Sequence, residues 1–509
     1  MPRKSISILI LIAIISLNLF FGLPRVKNFT GVDETLWSYG RIPKFWHSVS
    51  QHKWAKTDIN DKPGITLAFL SGAGLPFIPN PKNYSKIKYE TKTPAQLTAI
   101  ENIYLALRLP IYIFSLFSLI FFYFLLKRLL DYKTALVATS FIGLSPILLG
   151  ISLILNPDSL LWIFMPLSLI SFLIYQKENN RKFLVLSGFI LGLALLTKYV
   201  ANLLFPFFLL LIFFKYIFEE PLLKDSFNYF KKSFEDYLIL IISALAAISI
   251  FYPRIWVKSN TLLYTTIFSQ PFIKIWPFFL GFLVLLAIDI FLFKSFFTRR
   301  ISNFLRRYRI ILIKTIIFIT LALIIFIFIN TYAGMKFSNF ENIFFDPKGA
   351  AVFPAFFSSF FPLIFGLSPL ILGFFILAII STFKSATKIM ASSSNWKYVF
   401  HLLSFILIYY LANSLARVGS TIRYQIVIYP IAFIISAIGL TECLNSKIVK
   451  RYFPAISFYG LFVFLFICLG YSLFSIRPFY FSYASSLLPK QYILNPRYMG
   501  VGGWEVSQY

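Results

Sequence analysis

The sequence predicts an all-α polytopic membrane protein, a bundle of about 13 transmembrane helices with a long first outer loop carrying short helices. Three observations predict it. Of the 509 residues, 58% are hydrophobic and 13% charged, about half the charge of an ordinary soluble domain. Apolar runs of bilayer-crossing length, about 20 residues each, recur from one end of the chain to the other. The Lys and Arg residues behind the net charge of +29 sit in short clusters between those runs. That is how a membrane protein sets its orientation, and it argues against a nucleic-acid-binding surface.

The opening MPRKSISILILIAIISLNLFFGLP has the charged start and apolar stretch of a signal peptide. No small-x-small cleavage site follows, so it reads as a retained first helix near 5–23. The next spans fall near 102–126, 134–152, 157–175, 183–197, 200–216 and 237–253. Six more fall near 275–294, 310–330, 354–382, 398–412, 424–441 and 454–474. The hydrophobicity is so continuous that periodicity leaves the packing faces unread. With the N-terminus inside, the inner connections hold 24 Lys and Arg and the short outer ones eight. The positive-inside rule therefore predicts a cytoplasmic N-terminus and an outer C-terminus. Residues 1–474 form the transmembrane domain, including the first outer loop at 24–101, and 475–509 form a short outer tail. Cys443 and Cys468 offer no disulfide framework.

Residues able to do chemistry gather on the outer side. Asp33 and Glu34 in GVDETLWSYG follow the first helix by about ten residues, and Asp58 and Asp61 come later in TDINDKPGITLAF. Adjacent carboxylates can divide labour between a general base and an orienting or metal-binding partner. The same spacing also suits a solvated loop or a helix cap. Asp158 stands in SLILNPDSLLWIF, where Asn156-Pro157 ends one apolar run and starts another. It is either a helix-start charge or a functional acid at the edge of hydrocarbon. Lys62, Lys198 and Arg423 lie on the same side, as a phosphate at a membrane surface requires, although Lys198 and Arg423 can equally snorkel to headgroups. Arg108 lies two turns into a helix, where snorkelling explains it less well. The histidines show no metal spacing beyond His47 and His52, five apart in a loop and a weak zinc signal, and no Walker loop, GxSxG elbow or dinucleotide fingerprint occurs.

Taken in order, these residues resemble the GT-C superfamily of membrane glycosyltransferases. Within it they are similar to the family-39-like protein O-mannosyltransferases and the lipid A aminoarabinose transferase. Asp33-Glu34 looks like that superfamily's acidic pair. Asp61-Lys62-Pro63-Gly64 looks like its later loop motif, although the common His-Pro-Pro is Lys-Pro-Gly here. The helix led by Arg108, the basic hairpin after it and the pair ending at Asp158 resemble the superfamily's strongest stretch. GFILGLALLTKY, Arg423-Tyr424 with Tyr429-Pro430, and FSYASSLLPK and GGWE in the tail complete the likeness.

The resemblance implies transfer of a sugar from a polyprenyl-phosphate donor to a protein, lipid or glycan acceptor. The setting would be the outer face of a bacterial or archaeal plasma membrane, with no nucleic acid involved. It implies Asp33 as the general base of an inverting reaction, and Glu34 and Asp158 as residues that orient acceptor or sugar. No cofactor is certain, but these acids could bind a divalent cation, Mg or Mn. Lys62, helped by Lys198 and Arg423, would stabilise charge on the departing lipid phosphate, with Asp61 in support. Arg108 would hold an acid or the phosphate from below. The alternatives are a ligase or polymerase using a lipid-diphosphate-linked glycan, and a non-enzymatic lipid or polysaccharide transporter. Transporters show internal repeats and midplane sites, whereas these acids lie at one face.

Overall fold

Inside a bilayer the backbone has no water to bond, so each unbroken apolar run must satisfy its own polar groups, which makes it a helix. The computed structural model describes residues 3–28, 31, 33–59, 63–85, 93–218, 226–269, 272–345, 349–386, 395–452 and 458–494. Among them every regular element is helical. In chain order come α1 (Arg3–Gly22), α2 (Ile42–Ser50), α3 (Ile65–Gly72), α4 (Pro94–Leu129), α5 (Tyr132–Gly143), α6 (Pro146–Ser152), α7 (Asp158–Glu178) and α8 (Arg181–Thr197). Next are α9 (Leu204–Phe218), α10 (Ser226–Phe251), α11 (Arg254–Val257), α12 (Thr261–Thr265), α13 (Trp276–Phe291), α14 (Phe296–Arg307) and α15 (Arg309–Tyr332). The last are α16 (Phe340–Phe345), α17 (Val352–Ser358), α18 (Phe360–Gly366), α19 (Pro369–Ala386), α20 (Trp396–Leu415), α21 (Ile428–Asn445), α22 (Lys447–Tyr452) and α23 (Phe458–Ile476).

Each of the thirteen apolar segments contains helix, but the count of thirteen spans is not confirmed. Nine helices among the described residues are long and apolar enough to cross a membrane, or up to eleven if each of two bent pairs is one span. One pair, α5 with α6, bends by 58° where Ser145-Pro146 starts a new helix, and the other, α13 with α14, bends by 103°. The segment near 354–382 breaks into α17, α18 and α19, and α8 has 17 residues. Hydropathy finds apolar stretches but is blind to the prolines and caps that interrupt them.

The same blindness misplaces the start of α4. It begins at Pro94 rather than near 102 because a capping box closes there. The Thr93 hydroxyl accepts from the Gln96 N–H at 3.3 Å, and the Gln96 side chain accepts from the Thr93 N–H at 2.9 Å. These polar residues start a helix but contribute nothing to a hydropathy average.

At the centre is α7, buried at every residue from Asp158 to Gln176. It packs against α8, α4 and α21. On its far side α8 meets α10 at Gly188 and Gly192, where the Leu240 and Ala244 carbonyls occupy the space a Cβ would need. This small-xxx-small approach suits helices that gain nothing from excluding water. By contrast α1, α10, α15 and α23 are at most one-third buried over their apolar windows and form the lipid-facing rim. Between α1 and α4 the chain folds into short helices, namely a π-helical turn at Leu36–Arg41, α2, a 3-10 turn at Trp54–Thr57, and α3. Trp46 donates to the Ala68 carbonyl at 2.8 Å and Ser71 to the Leu107 carbonyl at 2.6 Å, which ties them to α4. The described part of the tail also packs onto the bundle, with Tyr480 donating to the Phe21 carbonyl at 3.0 Å.

Candidate active site

At the end of the bundle where α1 finishes and α7 begins, four charged groups meet. Asn156-Pro157 breaks the chain, and the Asn156 amide oxygen accepts from the Asp158 N–H at 3.0 Å. This sets Asp158 at the first position of α7, 1% exposed. Lys198, just past the end of α8, donates to Asp158 Oδ1 at 2.7 Å. Arg423, on the 3-10 turn before α21, donates Nε to Asp158 Oδ2 at 2.9 Å and pairs through Nη1 with Asp33 Oδ2 at 2.7 Å. Arg423 thus links two acids that are far apart in sequence. Its turn is held by Tyr409, which donates to the Tyr424 carbonyl at 2.7 Å. The Tyr424 ring lies beneath Lys198 at 4.9 Å and Arg423 at 5.7 Å. Burial disfavours the Arg423 cation, but Asp158 and then Asp33 outweigh it and raise its pKa above the usual arginine value.

Asp33, Asp158, Lys198 and Arg423 line a cavity of about 160 Å³ together with Trp37, Arg41, Asn156 and Tyr424. The two acids differ in access. Asp158 has both oxygens engaged and 1% of its side chain exposed, whereas the Asp33 side chain is 36% exposed. Arg41 and Trp37 are additions that the sequence did not single out. A helical repeat places positions 33, 37 and 41 on one face, and that spacing was the available signal. The Arg41 guanidinium lies 4.8 Å over the Trp37 ring and pairs with no carboxylate among the described residues. Among the described residues the lining carries three cations and two carboxylates.

Glu34 is not at this cavity. It is wholly buried, and its carboxylate receives Arg108 Nε at 2.9 Å, Arg108 Nη2 at 2.6 Å, the Leu155 N–H at 2.6 Å and the Gly31 N–H. Arg108 is equally buried. It donates Nη1 to the Val26 carbonyl at 2.8 Å and sits 4.6 Å over the Tyr104 ring. Of its two expected partners, an acid or a phosphate, it holds the acid. Asp61 and Lys62 lie outside the described residues. The chain just beyond them is pinned beside Lys198. Gly64 N–H donates to the Thr197 carbonyl at 3.2 Å, and the Thr66 and Thr197 hydroxyls are 2.7 Å apart. Gly64 has φ +60° and its missing Cβ makes room for the Trp37 ring. Asp58 lies elsewhere, paired with Arg254 and accepting from the Tyr252 hydroxyl at 3.1 Å.

The resemblance allows a divalent cation, Mg or Mn, at these acids. Among the described residues no three His, Cys, Asp or Glu side chains converge. Both Asp158 oxygens and one Asp33 oxygen face cations, so of these two acids one carboxylate oxygen is left to meet such an ion.

Residues 96–231 match the family model described as dolichyl-phosphate-mannose-protein mannosyltransferase. That segment runs from α4 into α10 and carries Arg108, Asp158 and Lys198. Among curated proteins none matches. Three solved structures of the Archaeoglobus fulgidus oligosaccharyltransferase share the fold at a TM-score of 0.50. The form with zinc and sulfate is 15% identical over 94% of this chain and 53% of that one. The apo form is 16% identical over 95% and 56%, and the form tethered to an acceptor peptide with an NVT sequon is 13% identical over the same shares. The chain therefore spans a little over half the length of that protein, and the likeness is one of fold. The segment match is thus to a mannosyltransferase family model and the fold likeness to an oligosaccharyltransferase, and the long apolar helices are those of a multi-pass membrane protein.

Proposed function

We propose that this chain transfers a sugar from a polyprenyl-phosphate donor to an acceptor hydroxyl, with inversion at the anomeric carbon. The observation that carries the reading is Asp33. It is the more accessible of the two described carboxylates of the cavity, with one oxygen fixed by Arg423 and through it to Asp158. In this reaction Asp33 takes the proton from the acceptor O–H. The acceptor oxygen bonds to the anomeric carbon, the bond from that carbon to the phosphate oxygen breaks, and its electron pair leaves with the polyprenyl phosphate. Arg41, Lys198 and Arg423 stabilise that anion. Lys62 joins them as an expectation from the resemblance, with Asp61 in support. Asp158 positions Lys198 and Arg423, and Glu34 and Arg108 hold the backbone beneath Asp33.

Among the described lining residues the single excess cation suits the one negative charge of a phosphodiester donor better than the two or more of a diphosphate. The matched family's description names a mannose donor and a protein acceptor, so mannose and protein are the first pair to test. The excess of Lys and Arg in alternate connections supports a cytoplasmic N-terminus and a cavity on the outer face, and the resemblance implies a bacterial or archaeal plasma membrane.

The test is release of radiolabelled sugar from polyprenyl-phosphate donors in membranes, comparing wild type with Asp33→Asn. Transfer by wild type alone supports the reading. Near-normal transfer by Asp33→Asn removes the base, and no transfer from any such donor moves the assignment to diphosphate-linked donors.

A further inference from the structure

At the end of the bundle opposite the cavity, the chain turns sharply out of α13. The axis bends by 103° between α13 and α14. Lys294 and Ser295 make the corner with φ of 50° and 60°, a left-handed conformation that is strained for residues with a side chain. Two contacts hold the corner. Ser295 N–H donates to the Asp289 carbonyl at 2.8 Å, and the buried Asp289 carboxylate accepts from the Phe297 and Thr298 N–H groups at 2.9 and 2.8 Å. A carboxylate at the first turn of α14 also complements the positive end of that helix. The right angle is therefore built and held.

The bend lays α14 across the bundle end with three distinct faces. Thr298 and Ser302 are buried against the protein, on the side where α14 meets α9 and Tyr216 reaches Asn303. Phe297, Ile301, Phe304 and Tyr308 form an exposed apolar stripe at helical spacing. Arg299, Arg300 and Arg307 project from the remaining face, all exposed. Between Asp289 and Glu341 the sequence has no acidic residue, while Lys294, Arg299, Arg300, Arg306, Arg307 and Arg309 fall within sixteen positions. Snorkelling of isolated basic residues does not require a strained corner, a capped helix start or segregated faces.

We propose that α14 is an anionic-lipid-binding helix lying in the membrane interface. Its apolar stripe enters the acyl boundary, and Arg299, Arg300 and Arg307 bind the phosphates of acidic headgroups. An interfacial helix with a basic face binds in proportion to its buried apolar area and to the charge of the leaflet. Arginine suits the role because its planar guanidinium meets phosphate with paired donors.

The full-length protein is placed in nanodiscs of phosphatidylcholine containing one-fifth phosphatidylglycerol. The lipids that stay bound after detergent extraction are identified by native mass spectrometry. Wild type should retain phosphatidylglycerol over phosphatidylcholine by several-fold, and the triple variant Arg299→Gln, Arg300→Gln, Arg307→Gln should lose that preference. Each arginine near the surface accounts for about fivefold at low salt. Replacing the same three by Lys should keep most of the preference, since the charge persists. Equal melting of all three proteins in pure phosphatidylcholine checks that the variants are folded. No preference in wild type, or an undiminished one in the glutamine variant, would overturn the proposal. It is independent of sugar transfer, so failure in one assay leaves the other unaffected.

Discussion

Asp33 and Glu34 are chemically similar neighbours that the fold puts to different uses. Which of the two faces the cavity is decided by partners distant in sequence, Arg423 for one and Arg108 with Leu155 for the other, so the doublet was visible in the sequence but its division was not. Asp33→Asn should lower transfer by roughly 100- to 10,000-fold, the usual contribution of a general base, with unchanged melting in detergent. Glu34→Gln should act on stability, because it leaves the Arg108 guanidinium buried beside a neutral amide. Loss of one partner of such a pair costs about 3–5 kcal/mol, and a melting temperature equal to wild type would refute that role. Arg41→Gln should reduce turnover by roughly 100-fold. Arg41→Lys, which keeps the charge and loses the fork, should recover part of it, and equal turnover in both variants would show that Arg41 does not meet the phosphate.

Among the elements, the helices were largely legible because lipid leaves a long apolar run little choice. What escaped was where they start, stop and bend, since those points depend on Thr93, Ser145 and Asp289 rather than on hydrophobicity. The loop between α1 and α4 shows the same limit. Its motifs were readable, yet the contact of Gly64 with Trp37 and the pin between Thr66 and Thr197 join segments more than a hundred positions apart or from different turns. Gly64→Ala should displace Trp37 and with it the platform under Arg41. The left-handed φ alone costs roughly 1 kcal/mol or more. The expected result is transfer at least tenfold slower while the bundle still melts cooperatively, and normal kinetics would show that Trp37 can move without consequence.

For the whole molecule, charge distribution and connectivity make a joint prediction about sidedness. In a background with Cys443 and Cys468 replaced by Ser, a cysteine at Lys53 should react with an impermeant maleimide added to intact cells. One at Arg300 should react only after the membrane is opened. The reverse pattern would turn the cavity inward.

The buried Glu34–Arg108 pair also has a consequence for how the protein is made. Glu34 emerges from the ribosome well before Arg108, and its third strong donor, the Leu155 N–H, follows later still. Until those segments have entered the membrane, one charge or the other lacks its counterpart in a region the finished protein keeps dry. The half-built chain thus carries an electrostatic mark of its own incompleteness, of the kind that membrane proteases can sense. Arg108→Leu should therefore be cleared from cells soon after synthesis rather than accumulate as an inactive protein, and pulse-chase labelling would follow its loss.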